Sequence, residues 1–303
     1  MGVTWQESTF RGEAAAEITG YEGTIPDLEI PGELEGRPVR SIAAHAFSDR
    51  TDLRSVCLPE SLVTLRPFVF YNCAGLKTIR LCNTTEDCYD GVIRQCRKLH
   101  EISVKCVCPE NYILIRSLLQ DVDGMLTFHL LDPGGEETAQ LTFPEYVNEA
   151  KEDTMARAIH FSIEGAGMAY RECVGKKKLD FAGYDRLLFR LTEYDFDAAA
   201  RIAFGRLLYP EELSDKARTE YETFLKDNDE KVLEFLIRED AEKSSVPQLR
   251  LLTERRLIGD QGLDAALEMA AEKERTGLCS ILMEYRAARG KTEEKGAMFS
   301  LDW

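Results

Sequence analysis

Apolar positions recur along the first third of the chain with a period of 23 residues. Laying Val39–Ser61 over Leu62–Thr84 sets Val39 on Leu62, Ile42 on Leu65, Phe47 on Phe70, Leu53 on Leu76, Val56 on Ile79 and Leu58 on Leu81. A third copy at the same offset keeps Ile93, Leu99, Ile102 and Val104 in register and sets Cys73 on Cys96. One unit of this length cannot bury its own apolar side, whereas stacked units bury a continuous column of equivalent side chains. Segments 53–58 and 76–81 share the LxxLxL spacing of a short strand, whose alternation turns Val56 and Leu58 inward and Ser55 and Cys57 outward. Stacked parallel strands are therefore predicted near 53–58, 76–81 and 99–104, with Phe47 and Phe70 filling the opposite wall.

After about residue 110 this period is lost. Leu126–Leu131 reads as one more strand, closed by the turn signal Asp132-Pro133-Gly134-Gly135, and Leu141–Pro144 can pair beside it. From about 145 the pattern is read as helical. Asp195 can cap a helix that runs through Leu208 and stops before Pro210, and further helices are predicted at 214–226, 229–239, 246–257, 262–274 and 277–288. The last four form two pairs offset by 31 residues, which sets Val232 on Leu263, Leu236 on Leu267 and Leu251 on Leu282. Residues 290–295 are polar and predict no packed element, while Phe299, Leu301 and Trp303 alternate as an extended docking strand would.

The run Val39-Arg40-Ser41-Ile42, Phe47, Leu53-Arg54-Ser55-Val56-Cys57-Leu58-Pro59 resembles the BspA-like bacterial leucine-rich repeat. So does Phe70-Tyr71-Asn72-Cys73-Ala74-Gly75-Leu76, and the lead-in Ile18–Gly23, Leu28–Pro31 and Gly36–Val39 resembles a first, capping coil. The likeness covers roughly residues 16–105, and the third copy departs from it where Asp90-Gly91-Val92-Ile93 replaces the usual small-residue-plus-Phe element. The stretch Leu263–Glu272 with Leu278–Leu282 resembles an ankyrin helix pair, although the Thr-Pro-Leu-His turn of that repeat is missing. The expected fold class is α+β: a short leucine-rich-repeat β-solenoid with capping strands over 1–144, an ankyrin-like all-α domain over 145–289, and a flexible tail over 290–303. The resemblance implies an interaction module and carries over no catalytic residue.

A net charge of −16 argues against nucleic acid and against an anionic membrane, because both need clustered Lys and Arg. Residues 111–150 hold seven acidic residues and a single basic one, Arg116, which suits an exposed connection. The first residues lack the basic and apolar regions of a signal peptide, and no apolar run of membrane-spanning length occurs. Nine cysteines without a disulfide-framework spacing point to a reducing, cytoplasmic setting.

Candidates for chemistry are few. Cys82, Cys88, Cys106 and Cys108 hold one close pair at the wrong spacing for structural zinc, so no metal is expected. His45, His100, His129 and His160 sit in no catalytic signature. Gly165-Ala166-Gly167 lacks the third glycine and the preceding strand of a dinucleotide loop, and Lys176-Lys177-Lys178 reads as a solvated loop. No P-loop, HExxH or GxSxG occurs, so no cofactor is expected. The favoured function is a non-enzymatic protein–protein interaction module, binding a protein partner through the outward columns Ser55/Thr78/Glu101 and Cys57/Arg80/Ser103. The competing reading is an enzyme with a site in 145–300, which would need a pocket of convergent ionisable groups.

Overall fold

The computed structural model describes residues 2–153, 158–191, 195–239 and 245–299, with the side chains of 149–162 and 290–299 set aside. The chain divides into two compact units, residues 1–205 with 209–212, and residues 206–208 with 213–303. The first unit thus runs well past 144, where the sequence placed the end of the solenoid domain.

The chain enters through a hairpin of β1 (Gly2–Phe10) and β2 (Glu13–Glu22), turned by Arg11 and Gly12 at positive φ. From there each coil gives one strand to each of two walls. One wall takes β3 (Asp27–Glu29) before the chain turns through β4 (Glu33–Leu34) into β5 (Arg37–Ile42) of the other. The next coils repeat the step with β6 (Ser55–Cys57) and β7 (Thr64–Leu65), then β8 (Thr78–Cys82) and β9 (Asp87–Cys88), then β10 (Glu101–Lys105). The walls read β1-β2-β5-β7-β9 and β3-β6-β8-β10, and within these orders all pairs after the entry hairpin are parallel, β4 lying antiparallel beside β5. The stacked strands lie where the 23-residue period puts them.

The register explains the core. Leu28, Val56, Ile79 and Ile102 pair in sequence across one wall, and all are buried. Leu53, Leu76 and Leu99 are all buried, and the Phe47 and Phe70 rings stack 5.3 Å apart at 11°. The corner turns repeat as strictly as the side chains: His45, Phe68 and Gly91 stand at φ 59°, 60° and 75°, and Asp49, Asn72 and Gln95 at 62°, 56° and 66°. Each left-handed residue other than Gly91 costs roughly 1–2 kcal/mol, a strain held by coil-to-coil hydrogen bonds. Among these bonds, Phe47 N donates to Val69 O at 2.9 Å, and Phe70 N to Val92 O at 2.8 Å.

Cys73 and Cys96 donate from Sγ to the Phe47 and Phe70 carbonyls of the preceding coils, each at 3.0 Å. Each thiol thus ties one turn to the carbonyl of the turn before it, and that supplies a reason for a thiol at this step of the repeat.

The fourth coil ends the array. Where a strand of the second wall would follow, the chain forms α1 (Ile113–Asp121), burying Leu114, Ile115, Leu118 and Leu119. Asp121 turns back to accept from Gly91 N at 2.8 Å and Ile93 N at 3.1 Å, closing the divergent third copy. The first wall continues in β11 (Leu126–Leu131), parallel to β10, and reverses into β12 (Glu137–Phe143), antiparallel to β11.

The sequence reading of a helix beginning near 145 is corrected here. A separate hairpin, β13 (Val147–Asp153) with β14 (Ala158–Glu164), occupies that segment. Its second strand alternates apolar residues at Ile159, Phe161 and Ile163, a period-two pattern too short and too polar in its partner to stand out. Short helices α2 (Gly167–Glu172) and α3 (Phe181–Asp185) follow, then α4 (Phe196–Leu208), capped by Asp195 whose Oδ1 accepts from Ala198 N at 3.0 Å. Arg171 of α2 is buried and donates to six carbonyls, those of Leu119, Val122, Asp123, Gly124, Pro144 and Gly167, so one guanidinium ties the exits of α1 and β12 to α2.

The second unit comprises α5 (Asp215–Asp227), α6 (Asp229–Glu239), α7 (Val246–Glu254), α8 (Asp260–Glu272) and α9 (Thr276–Phe299). Helix α6 packs on α8 and α7 on α9, and the pairs offset by 31 residues are all buried: Val232 with Leu263, Leu236 with Leu267, Leu251 with Leu282. Helix α9 continues to Phe299, through the stretch expected to lack structure. Leu301 and Trp303 lie outside the described residues.

Candidate functional site

The outward face of the β3-β6-β8-β10 wall is assembled by register alone. Ser55 pairs with Thr78 and Thr78 with Glu101; Cys57 pairs with Arg80 and Arg80 with Ser103. Both expected columns therefore exist, and the structure lengthens each by one residue. Asp27 leads the first and Glu29 the second, because β3 is in register with β6. Sequence reading missed them because the capping coil does not keep the 23-residue spacing. The alternation Asp-Leu-Glu in β3 was the available signal.

These side chains reach solvent. Arg80, Asp27 and Glu29 are exposed; Ser55, Cys57, Thr78, Glu101 and Ser103 are half-buried between neighbours. Ser55 donates to Asp27 Oδ1 at 2.6 Å, and Lys105 pairs with Glu60 at 2.5 Å at the far end of the wall. The face is small-residue, polar and mixed in charge.

It also stops abruptly. On β11 the equivalent outward positions are Thr127 and His129, which are 8% and 9% exposed. Thr127 Oγ1 bonds Thr142 Oγ1 at 3.0 Å, and the Tyr184 hydroxyl donates to the Thr142 carbonyl at 2.6 Å. His129 Nδ1 lies 2.6 Å from Glu137 Oε1, with Nε2 3.9 Å from Glu101 Oε1. Gly205 of α4 approaches so closely that a Cβ there would lie 2.8 Å from the Gln140 carbonyl. Burial first, then Glu137, holds the Tyr209 phenol above its ordinary value beside this cover. The open face therefore spans four strands and ends at a packed shoulder.

The other candidates fall apart on placement. Among the described residues, no three His, Cys, Asp or Glu groups converge as a metal site would require. Burial pushes the Cys88 thiol up to about 12 and that of Cys106 up to about 11, which keeps both protonated and poor as ligands or nucleophiles. His45 contacts Ser48 Oγ at 3.0 Å and His100 contacts the Lys98 carbonyl at 2.8 Å, both on the surface. The side chain of His160 is outside the described ones. Gly167 opens α2 where a Cβ would strike the Pro144 carbonyl at 2.2 Å, so that glycine serves a close backbone approach. Lys176–Lys178 form the exposed tip of a tight turn closed by the Val174–Leu179 bridge. Two clefts of the first unit, about 510 Å3 beside Cys88 and Arg116 and about 350 Å3 beside Cys96 and Asp121, set acid next to base.

Residues 24–117 match the model of the BspA type leucine rich repeat region, in six copies. No curated protein matches the chain. Among solved structures, a leucine-rich repeat protein from Bacteroides ovatus ATCC 8483 is 20% identical over 34% of this chain and 30% of its own, with a TM-score of 0.29. A leucine rich cell surface protein from Faecalibacterium prausnitzii A2-165 is 23% identical over 34% and 33%, with a TM-score of 0.28. A leucine rich repeat protein of T. pallidum is 19% identical over 33% and 68%, with a TM-score of 0.24. The chain spans about a third of the length of the first two. With its coils, walls and matched segment in agreement, the solenoid at residues 24–117 is built of BspA-type leucine-rich repeats.

Proposed function

We propose that this chain is a non-enzymatic interaction module whose solenoid binds a protein partner on the four-strand outward face. The observation that carries this is the pair of side-chain columns, Asp27/Ser55/Thr78/Glu101 and Glu29/Cys57/Arg80/Ser103, left open on a rigid wall whose continuation is packed over. A flat, polar face of mixed sign fits an extended polypeptide surface better than a small molecule, which needs a concave apolar site. The stacking of α6 on α8 and α7 on α9 supports an ankyrin-like reading of the second unit as a further repeat scaffold. The Cys73 and Cys96 thiols serve as hydrogen-bond donors, which a disulfide would end, so reducing, cytoplasmic surroundings suit the protein.

A photo-crosslinking residue placed at Ser55, Thr78 or Ser103 in turn should capture one common partner from extracts of the source cell. The same residue at Glu33 or Lys77, exposed and outside the columns, should not. Equal capture from both sets would reject this face as the binding surface.

A further inference from the structure

The second unit holds a cleft of about 750 Å3 whose lining includes Lys226, Asp229, Arg256, Gly259, Tyr285 and Arg289. Three cations around one cleft reverse the sign of a chain that carries −16 overall. The nearby carboxylates are already committed. Asp229 accepts from Gly259 N at 2.6 Å and from Glu230 N at 2.9 Å, and Asp260 pairs with Arg289 at 2.8 Å. Arg289 also donates to the Ile258 carbonyl at 2.9 Å. Lys226 and Arg256 are exposed and have no ion pair among the described residues, whereas the adjacent Arg255 is matched by Glu222.

Arg256 adds a second observation. Helix α7 ends in a Schellman motif, in which Leu257 N donates to Leu252 O at 2.9 Å and Arg256 N to Thr253 O at 3.2 Å. Arg256 itself occupies the left-handed position, φ 56°, which glycine fills at least cost. The helix end does not itself call for a cation there, since the same motif at the end of α8 holds Glu274 at φ 57°.

We propose that this cleft binds an acidic stretch of polypeptide, with carboxylates meeting Lys226 and Arg256 while the chain lies along Tyr285. Charge complementarity selects the class of ligand. The backbone amide that could grip a phosphate, Gly259 N, is taken by Asp229. Carboxylates spaced along a peptide can reach the two unpaired cations separately. This site is independent of the solenoid face and can stand or fall without it.

The test uses the full chain and a fluorescein-labelled hexaglutamate peptide, read by anisotropy. Saturable binding that weakens with added salt is expected, with hexalysine failing to bind. Lys226→Gln and Arg256→Gly should each weaken it by about tenfold, the loss of one charge-assisted contact. Arg256→Gly should leave the melting temperature unchanged or raised, and Lys77→Glu, exposed on the solenoid outside its columns, should bind as the unaltered chain does. Lack of saturable binding, unchanged binding by both cleft variants, or full displacement by millimolar inorganic phosphate would each overturn the proposal. If Arg256→Gly fails to fold, Lys226→Gln on the surface of α5 decides alone.

Discussion

Single side chains carry the repeat because each is used once per coil and has nothing to replace it. Phe70 is 1% exposed and stacked on Phe47, so Phe70→Ala should cost about 3–5 kcal/mol, read as a drop in denaturant midpoint at unchanged slope. An unmoved midpoint would mean that the column does not exist. Gly91 makes the opposite test. Its φ is 75°, and an added Cβ would lie 2.3 Å from the Phe68 ring, so Gly91→Ala should destabilise by about 1–3 kcal/mol through strain and overpacking together. Asp52 gives the pH-dependent case. The Arg50 guanidinium, hydrogen-bonded to both its oxygens, lowers its pKa from the ordinary 3.8 to about 2, helped by the Ile25 N–H. A lowered carboxylate pKa adds stability that is complete above 3.8 and fades as pH falls through 2. Asp52→Asn should therefore lower the denaturant midpoint at neutral pH and flatten its decline on acidification over that window. A midpoint with the same acid slope in both proteins would refute the assignment.

At the level of elements, sequence legibility followed how much each element owed to a repeated apolar pattern. Strands β6, β8 and β10 were readable because Leu53, Leu76 and Leu99 announce them at one spacing. Strands β7 and β9 were not, since two residues carry no period, and only the stacking of β5 fixes them. The hairpin β13–β14 was missed for a related reason: Val147-Asn148-Glu149-Ala150-Lys151-Glu152-Asp153 is too polar to read as a strand. Of the outward site, six residues were legible from alternation, while Asp27 and Glu29 needed the observed register. The closure at β11 could not be read from composition, because Thr127, Thr142 and His129 are polar residues whose burial depends on what packs above them. Helix α4, by contrast, was legible to its cap. Asp195→Ala should cost about 1 kcal/mol in a thermal melt, as loss of an N-cap does, whereas Asp195→Asn should be nearly silent.

For the molecule as a whole, the thiols report on folding. Denatured protein prepared without oxidant should release close to nine Ellman-reactive thiols, and native protein should withhold Cys73, Cys82 and Cys96, which are buried. A count of seven or fewer after denaturation would reveal a disulfide and contradict the hydrogen-bonding role given to the thiols of Cys73 and Cys96. The two antiparallel strands that bracket the solenoid have a wider bearing. Parallel coils are an open-ended polymer in principle: any coil offers the next one the same edge. Here β1 is laid backwards along one wall and β12 backwards along the other, while the remaining edges, β9 and β3, are two and three residues long. Among the described residues a second molecule thus finds no long parallel edge on which its own coils can continue the spiral, so the architecture supplies chain terminators for a growth reaction that would otherwise lead to fibres.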